Sequence, residues 1–208
     1  MNERENGRRT TSADLLEAAR DLFADRGYDG ASIRAITDRA GTNLGSVTYH
    51  FGTKEALYHR VIETFIAPLR ERVVEAAGTE GPPLERIEAI VRAAFERYVE
   101  DPAMPRLILQ QIASGRPAPP PARAWIRQAL GILGDLVHTG QADGTIRKGD
   151  PRFMALMAIA PILFIHLIRG PLHDAIGLDL DDERTRKGLL DQIVASVRGG
   201  LAAEREAA

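Results

Sequence analysis

The residues from Gly41 to Leu57, GTNLGSVTYHFGTKEAL, carry a chemistry unlike the rest of the chain. Asn43, Ser46, Thr48, Tyr49 and His50 offer amides, hydroxyls and ring nitrogens at short spacing. Such groups exchange hydrogen bonds with phosphate oxygens and base edges. Val47 and Phe51, four residues apart, are the apolar pair that would hold this segment down. Gly45 removes a side chain and allows close backbone approach. Lys54 stands at the start of the following helix, and Ser32 and Arg34 at the start of the preceding one. These are positions from which a cation or a hydroxyl reaches a phosphate.

These groups need a scaffold, and the pattern upstream supplies one. Ser32 caps a short helix with Ile33, Ile36 and Ala40 apolar, and Gly41 ends it. Gly41-Thr42-Asn43 is a tight turn, and Leu44 to Phe51 is a second short helix. Helix, glycine-containing turn, helix is the spacing of a helix-turn-helix. The DNA contacts expected from it are Ser32, Arg34, Thr42, Asn43, Leu44, Gly45, Ser46, Thr48, Tyr49, His50 and Lys54. A first helix from about Ser12, its cap, to Arg26 buries Leu15, Leu16, Ala19, Leu22 and Phe23, with Gly27 as its stop and Tyr28-Asp29-Gly30 as a turn. Gly52-Thr53 caps a fourth helix, with Leu57, Val61, Ile62 and Phe65 on one face and Pro68 inside it, where a kink or a break is expected.

Beyond this the chain reads as further helices separated by GTEGPP, Asp101-Pro102, GRPAPPP and the loop 140–149. They run from about Leu84 to Glu100, Pro105 to Ala113 and Ala122 to Thr139. Asp150-Pro151 opens an apolar helix stopped by Gly170-Pro171, and Asp181 or Asp182 caps the last. Strand periodicity is nearly absent, so the expected fold is all-α. A three-helix helix-turn-helix domain spans residues 1–57, and a helical-bundle domain spans 58–208.

Composition excludes other classes. The 208 residues include no cysteine, so disulfides and thiolate metal sites are ruled out. The formal charge is −2, and within residues 1–60 nine Lys and Arg face nine Asp and Glu, Arg4, Arg8 and Arg9 among the cations. Any DNA binding therefore rests on local placement rather than on a basic domain. The N-terminus, MNERENGRRTTSADLL, has no apolar core, so no signal peptide is expected. Phe153 to Ile168 is uncharged but shorter than the ~20 residues of a membrane span and contains Pro161 and His166, so it reads as a buried helix. FGTKEA lacks the second glycine of a phosphate loop, and GxSxG and HExxH are absent. Neither an enzyme nor a cofactor is expected, and His166, His173 and Asp174 make a poor metal set.

Residues 12–60, about a quarter of the chain, resemble the N-terminal domain of TetR/AcrR-type transcriptional regulators. The matching stretches are LFADRGYDGASIRAITDRAG and GSVTYHFGTKEALY. The chain departs from the family at Thr48, where an aromatic is common. The resemblance implies a cytoplasmic homodimer, two recognition helices on a palindromic double-stranded operator, and release by a small effector, most simply as a repressor. It also implies an effector site within residues 84–170 and pairing of the last two helices across a two-fold axis. The stripes of the last two helices, in the final one Leu189, Leu190, Ile193, Val194, Val197 and Leu201, point the same way, both being wider than one small bundle would bury. Trp125 with Phe95, Tyr98, Met104, Leu107, Ile108, Gln111, Met157, Phe164 and His166 is the expected lining of an apolar pocket, with Gln110 a further polar candidate. The rival readings are a DNA-binding dimer without an effector, and a helical carrier or enzyme with a vestigial helix-turn-helix.

Overall fold

A computed structural model describes residues 3–203, with side chains from Ser12 onward. The side chains of Arg4, Arg8 and Arg9 and most of the polar N-terminal segment lie outside the described residues. Ten helices are present among those described: α1 (Glu3–Gly30), α2 (Ile33–Arg39), α3 (Gly45–Phe51), α4 (Lys54–Gly78), α5 (Pro83–Glu100), α6 (Ala103–Ala113), α7 (Pro120–Ala142), α8 (Pro151–Leu167), α9 (Arg169–Ile176) and α10 (Glu183–Leu201). Among the described residues there is no strand, only an isolated bridge between Ile146 and Ala202.

The local rules place most boundaries. Ser32 Oγ accepts the Ala35 N–H at 3.1 Å, Asp150 that of Arg152 at 2.9 Å and Asp182 that of Thr185 at 2.7 Å, which gives the last helix Asp182 as its cap. Ser12 is no cap, because α1 runs through it from Glu3. Gly27 interrupts α1 with φ 70°, ψ 178°, and helical geometry resumes to Gly30. Pro171 does not stop a helix. It lies in the first turn of α9, where a missing N–H costs no internal bond. Likewise α4 continues through Pro68 and α10 through Gly199 and Gly200.

The compact units do not follow a single cut after residue 57. The first comprises the chain through Ile66 together with Ala103–Arg123, and the second comprises Ala67–Pro102 and the chain from Ala124 onward. α6 belongs to the first unit because its apolar face lies along α1. Met104 and Leu107 are buried there. Polar contacts edge this packing: Arg106 pairs with Asp25 at 3.3 Å, and the Gln110 amide donates to the Asp25 carbonyl at 3.3 Å. The first core is built on Leu15, Phe23, Ile36, Val47, Leu57 and Phe65, each at most 1% exposed.

In the second unit α5 packs on α8 and α10, and α8 on α10. Ile87, Phe95, Leu133 and Ile162 are at its centre. Among the described residues no single helix is long and apolar enough to cross a membrane. α8 with α9 reaches that composition only as a pair bent by 69°.

Candidate nucleic-acid interface

The turn between α2 and α3 is closed by backbone geometry that glycine permits. Gly41 has φ 65°, the Thr42 N–H donates to the Thr37 carbonyl at 2.9 Å, and the Gly41 N–H donates to that of Asp38 at 3.3 Å. These two bonds satisfy the last carbonyls of α2 and turn the chain sharply. Thr37, buried at 1% exposure, donates its hydroxyl to the Arg34 carbonyl at 3.0 Å and fixes the same turn from inside. The Ser46 N–H then donates to the Asn43 carbonyl at 3.0 Å and starts α3. A Cβ on Gly45 would come within 3.2 Å of the Asn43 side-chain oxygen, so the glycine leaves room for that amide.

α3 is anchored by one residue and open on the opposite side. Val47 is fully buried and Phe51 half-buried. Asn43, Leu44, Gly45, Thr48 and Tyr49 are exposed, Leu44 at 57% and Tyr49 at 65%. Positions 44, 45, 48 and 49 are three and four apart, so they share one face. Ser46 and His50 flank it, half-buried, and the His50 ring meets the Tyr49 ring edge-on at 4.9 Å. Thr42 is also half-buried, and its hydroxyl oxygen is enclosed without a hydrogen-bond partner. An apolar side chain and a phenol held in water beside hydroxyls are the kinds of group that groove walls, thymine methyls and phosphates accept.

The neighbouring cations are held differently. Arg34 is exposed and loosely paired with Asp38 at 3.9 Å, so it is available to an anion. Lys54 is half-buried, its ammonium 4.4 Å from the centre of the Tyr28 ring, and burial lowers its pKa. The guanidinium of Arg116 lies at the same 4.4 Å from that ring and pairs with Asp29 at 2.8 Å. Tyr58 meets Tyr28 and Phe23 edge-on at 5.0 and 4.8 Å and donates its hydroxyl to Gln111 at 2.8 Å. Gln111 thus belongs to the first unit, where it also donates to the Arg116 and Pro117 carbonyls.

Comparison with known proteins agrees with this geometry. Residues 15–61 match the family described as bacterial regulatory proteins, tetR family, and residues 83–197 match the tetracyclin repressor-like C-terminal domain. The chain belongs to the TetR family. It is 26% identical over 97% of its length to the HTH-type transcriptional repressor NicS of Pseudomonas putida, covering 99% of that protein. It is 29% identical over 64% of its length to the repressor KstR2 of Mycolicibacterium smegmatis, covering 66% of that protein. Among solved structures, the ketosteroid transcriptional regulator KstR2 of Mycobacterium tuberculosis superposes with a TM-score of 0.73 at 23% identity, over 98% of this chain and 97% of that one. AibR, solved with isovaleryl coenzyme A and operator DNA, superposes at 0.72 and 19% identity, over 89% and 97%. The protein is accordingly a DNA-binding transcriptional regulator.

The second unit of this TetR-family protein contains a cavity of about 400 Å³ between α4, α5, α7 and α8. Leu69, Val73, Tyr98, Trp125, Leu156 and Phe164 are among its walls, and no charged residue lines it. Burial pushes the Tyr98 phenol up to about 12, so it remains a hydrogen-bond donor at neutral pH.

Of the residues grouped around Trp125 by sequence, Tyr98, Trp125 and Phe164 line this cavity. Phe95 and His166 lie behind it, packed ring against ring at 4.9 Å. Met104, Leu107, Ile108, Gln110 and Gln111 sit in the first unit. Met157 faces a groove between α8 and α10. Sequence reasoning missed the α4 wall: Leu69 and Val73 have helical spacing, but spacing alone does not separate a cavity wall from a core.

The α10 stripe also needs correction. Leu190, Ile193, Val194, Val197 and Leu201 are each at most 7% exposed within one chain, so the bundle does bury them. Only Leu189 of that set stays half-buried, on the wall of the α8–α10 groove.

Proposed function

We propose that this chain is a cytoplasmic repressor that binds palindromic double-stranded DNA as a two-fold dimer and leaves it when a small apolar effector enters the second unit. The observation that carries the reading is the exposed α3 face of Leu44, Gly45, Thr48 and Tyr49, backed by the buried Val47. On this reading α3 enters the major groove, Thr48 and Tyr49 reach base edges and phosphates, and Asn43, Ser46 and His50 flank them. Ser32, Arg34 and Thr42 contact the backbone on one side of the groove. Lys54 does so on the other once it turns its ammonium from the Tyr28 ring to a phosphate. Two such helices would meet successive major grooves about 34–36 Å apart.

The cavity supports the effector. Its walls select an uncharged, mostly hydrocarbon molecule with a hydrogen-bond acceptor for Tyr98. Effector binding would shift an equilibrium between spacings that do and do not match the operator. The AibR complex holds a coenzyme A thioester and operator DNA together, which supports a small-molecule site and a DNA site on one chain of this fold.

The test begins with selection of bound sequences from random duplex DNA, followed by fluorescence anisotropy on the selected site. Tyr49→Ala should weaken binding about 10–100-fold, a loss of about 1.4–2.7 kcal/mol. Because Tyr49 is exposed, the melting temperature should stay within a degree or two. Unchanged affinity in Tyr49→Ala and in Thr48→Ala together would show that α3 is not the reader.

A further inference from the structure

From Ala40 to Thr53 the chain carries no Lys, Arg, Asp or Glu. That stretch holds the turn and the whole of α3, in a chain with 27% charged residues. The cations at its two ends are held elsewhere. Arg39 pairs with Asp21, and the Lys54 ammonium lies over the Tyr28 ring. Arg34 stands a helix away, near the start of α2.

The missing charge limits what α3 can read in a major groove. Guanine is read most often by a guanidinium or ammonium that donates to O6 and N7, and cytosine N4 by a carboxylate. α3 has neither. His50 is half-buried on the flank, with its ring edge-on to that of Tyr49 at 4.9 Å. The exposed positions present an amide at Asn43, an isobutyl group at Leu44, a hydroxyl and a methyl at Thr48 and a phenol at Tyr49. An amide pairs with adenine N6 and N7, and apolar groups pack on the thymine 5-methyl. Both features belong to one kind of base pair, A·T.

Leu44 carries the distinction. It is 57% exposed, whereas Val47 of the same segment is fully buried. A single exposed leucine needs no explanation by itself. This one immediately precedes α3 and shares the exposed face with Gly45, Thr48 and Tyr49. Thr48 lies one turn further along that face, so its methyl continues the apolar strip. Gly45 adds no side chain between them.

We infer that Leu44 packs against the 5-methyl group of a thymine, and that the base pairs addressed by α3 are A·T. This rests on the reading of α3 as the major-groove helix. Affinity and sequence choice are then divided between residues. Arg34 and Lys54 meet phosphates whatever the sequence, and Leu44 recognises a methyl group. Burying one methyl is worth about 4-fold in affinity, so two half-sites together give about 16-fold.

The test uses the full chain and a duplex selected from random DNA, with affinity read by fluorescence anisotropy. Thymines are replaced by deoxyuridine one position at a time, in both half-sites together. Deoxyuridine lacks the 5-methyl and keeps every hydrogen-bonding group of the base. At one position the replacement should weaken wild-type binding about 16-fold. In Leu44→Ala the same replacement should cost less than about 3-fold, with binding to the thymine duplex already weakened. Leu44→Met keeps an apolar side chain of similar volume and should retain most of the penalty. Should Leu44→Ala fail to fold, Leu44→Gln gives the same comparison. A selected half-site without thymine, or deoxyuridine tolerated at every thymine, overturns the inference. A penalty of equal size in Leu44→Ala assigns the methyl to another side chain and overturns the Leu44 contact. In these cases Tyr49→Ala still weakens binding, and the α3 reading stands. If Tyr49→Ala and Thr48→Ala also leave affinity unchanged, that reading falls and this inference falls with it.

Discussion

His166 has one ring nitrogen satisfied and the other enclosed. Nδ1 faces the Ile162 carbonyl at 2.8 Å and must donate to it, which leaves Nε2 buried without a partner. Burial lowers its pKa below the usual 6.5, and Arg169 adds to the shift. The folded protein therefore prefers the neutral ring, while the unfolded chain takes up a proton near 6.5. Stability from this residue is full above about pH 6.5 and is lost as pH falls from there through the lower folded value. Thermal melts at pH 5, 6 and 7 should show a decline towards pH 5 that is shallower in His166→Phe. A second expectation at this scale concerns Gly41. Its φ of 65° lies in the left-handed region and a Cβ there would meet no neighbour. Gly41→Ala should therefore cost only backbone strain, about 1–2 kcal/mol, measured by chemical denaturation. The exposed polar face of α3 was legible in sequence at this scale, because a cap, a turn glycine and a polar run act within a dozen residues. Lys54 was not. Its placement over Tyr28 is a contact between residues 26 positions apart, and periodicity does not report it.

Among the elements, α10 separates what a stripe can say from what it cannot. Its apolar face is wide, as sequence indicates, but α5 and α8 of the same chain take it. Leu190→Glu should thus place an unpaired charge in the core and cost on the order of 3–5 kcal/mol, seen as a lower denaturation midpoint, rather than simply splitting a dimer. α6 teaches the same lesson. Its amphipathic pattern shows which face is buried and nothing about the partner, which proves to be α1. Met104→Ala should therefore destabilise the first unit by about 2–3 kcal/mol, read from hydrogen exchange in α1, instead of altering an effector site.

For the whole molecule, net charge is −2, and DNA affinity must come from a few placed cations. If Arg34 and Lys54 of each of two copies meet phosphates, about four phosphates are neutralised, and the slope of log affinity against log salt should be about −3.6. Anisotropy titrations between 50 and 300 mM salt measure it. A much steeper slope would place further cations on the DNA. Nine of the ten described helices, their order and the turn between α2 and α3 were legible in sequence, since each is set by hydrogen bonds and side-chain spacing between near neighbours; α9 was not, because Gly170-Pro171 reads as a stop. Tertiary structure decided which apolar surface became core, which became cavity and which stayed in water. Burial of apolar area is non-directional, so a stripe states that it will be covered but never by what.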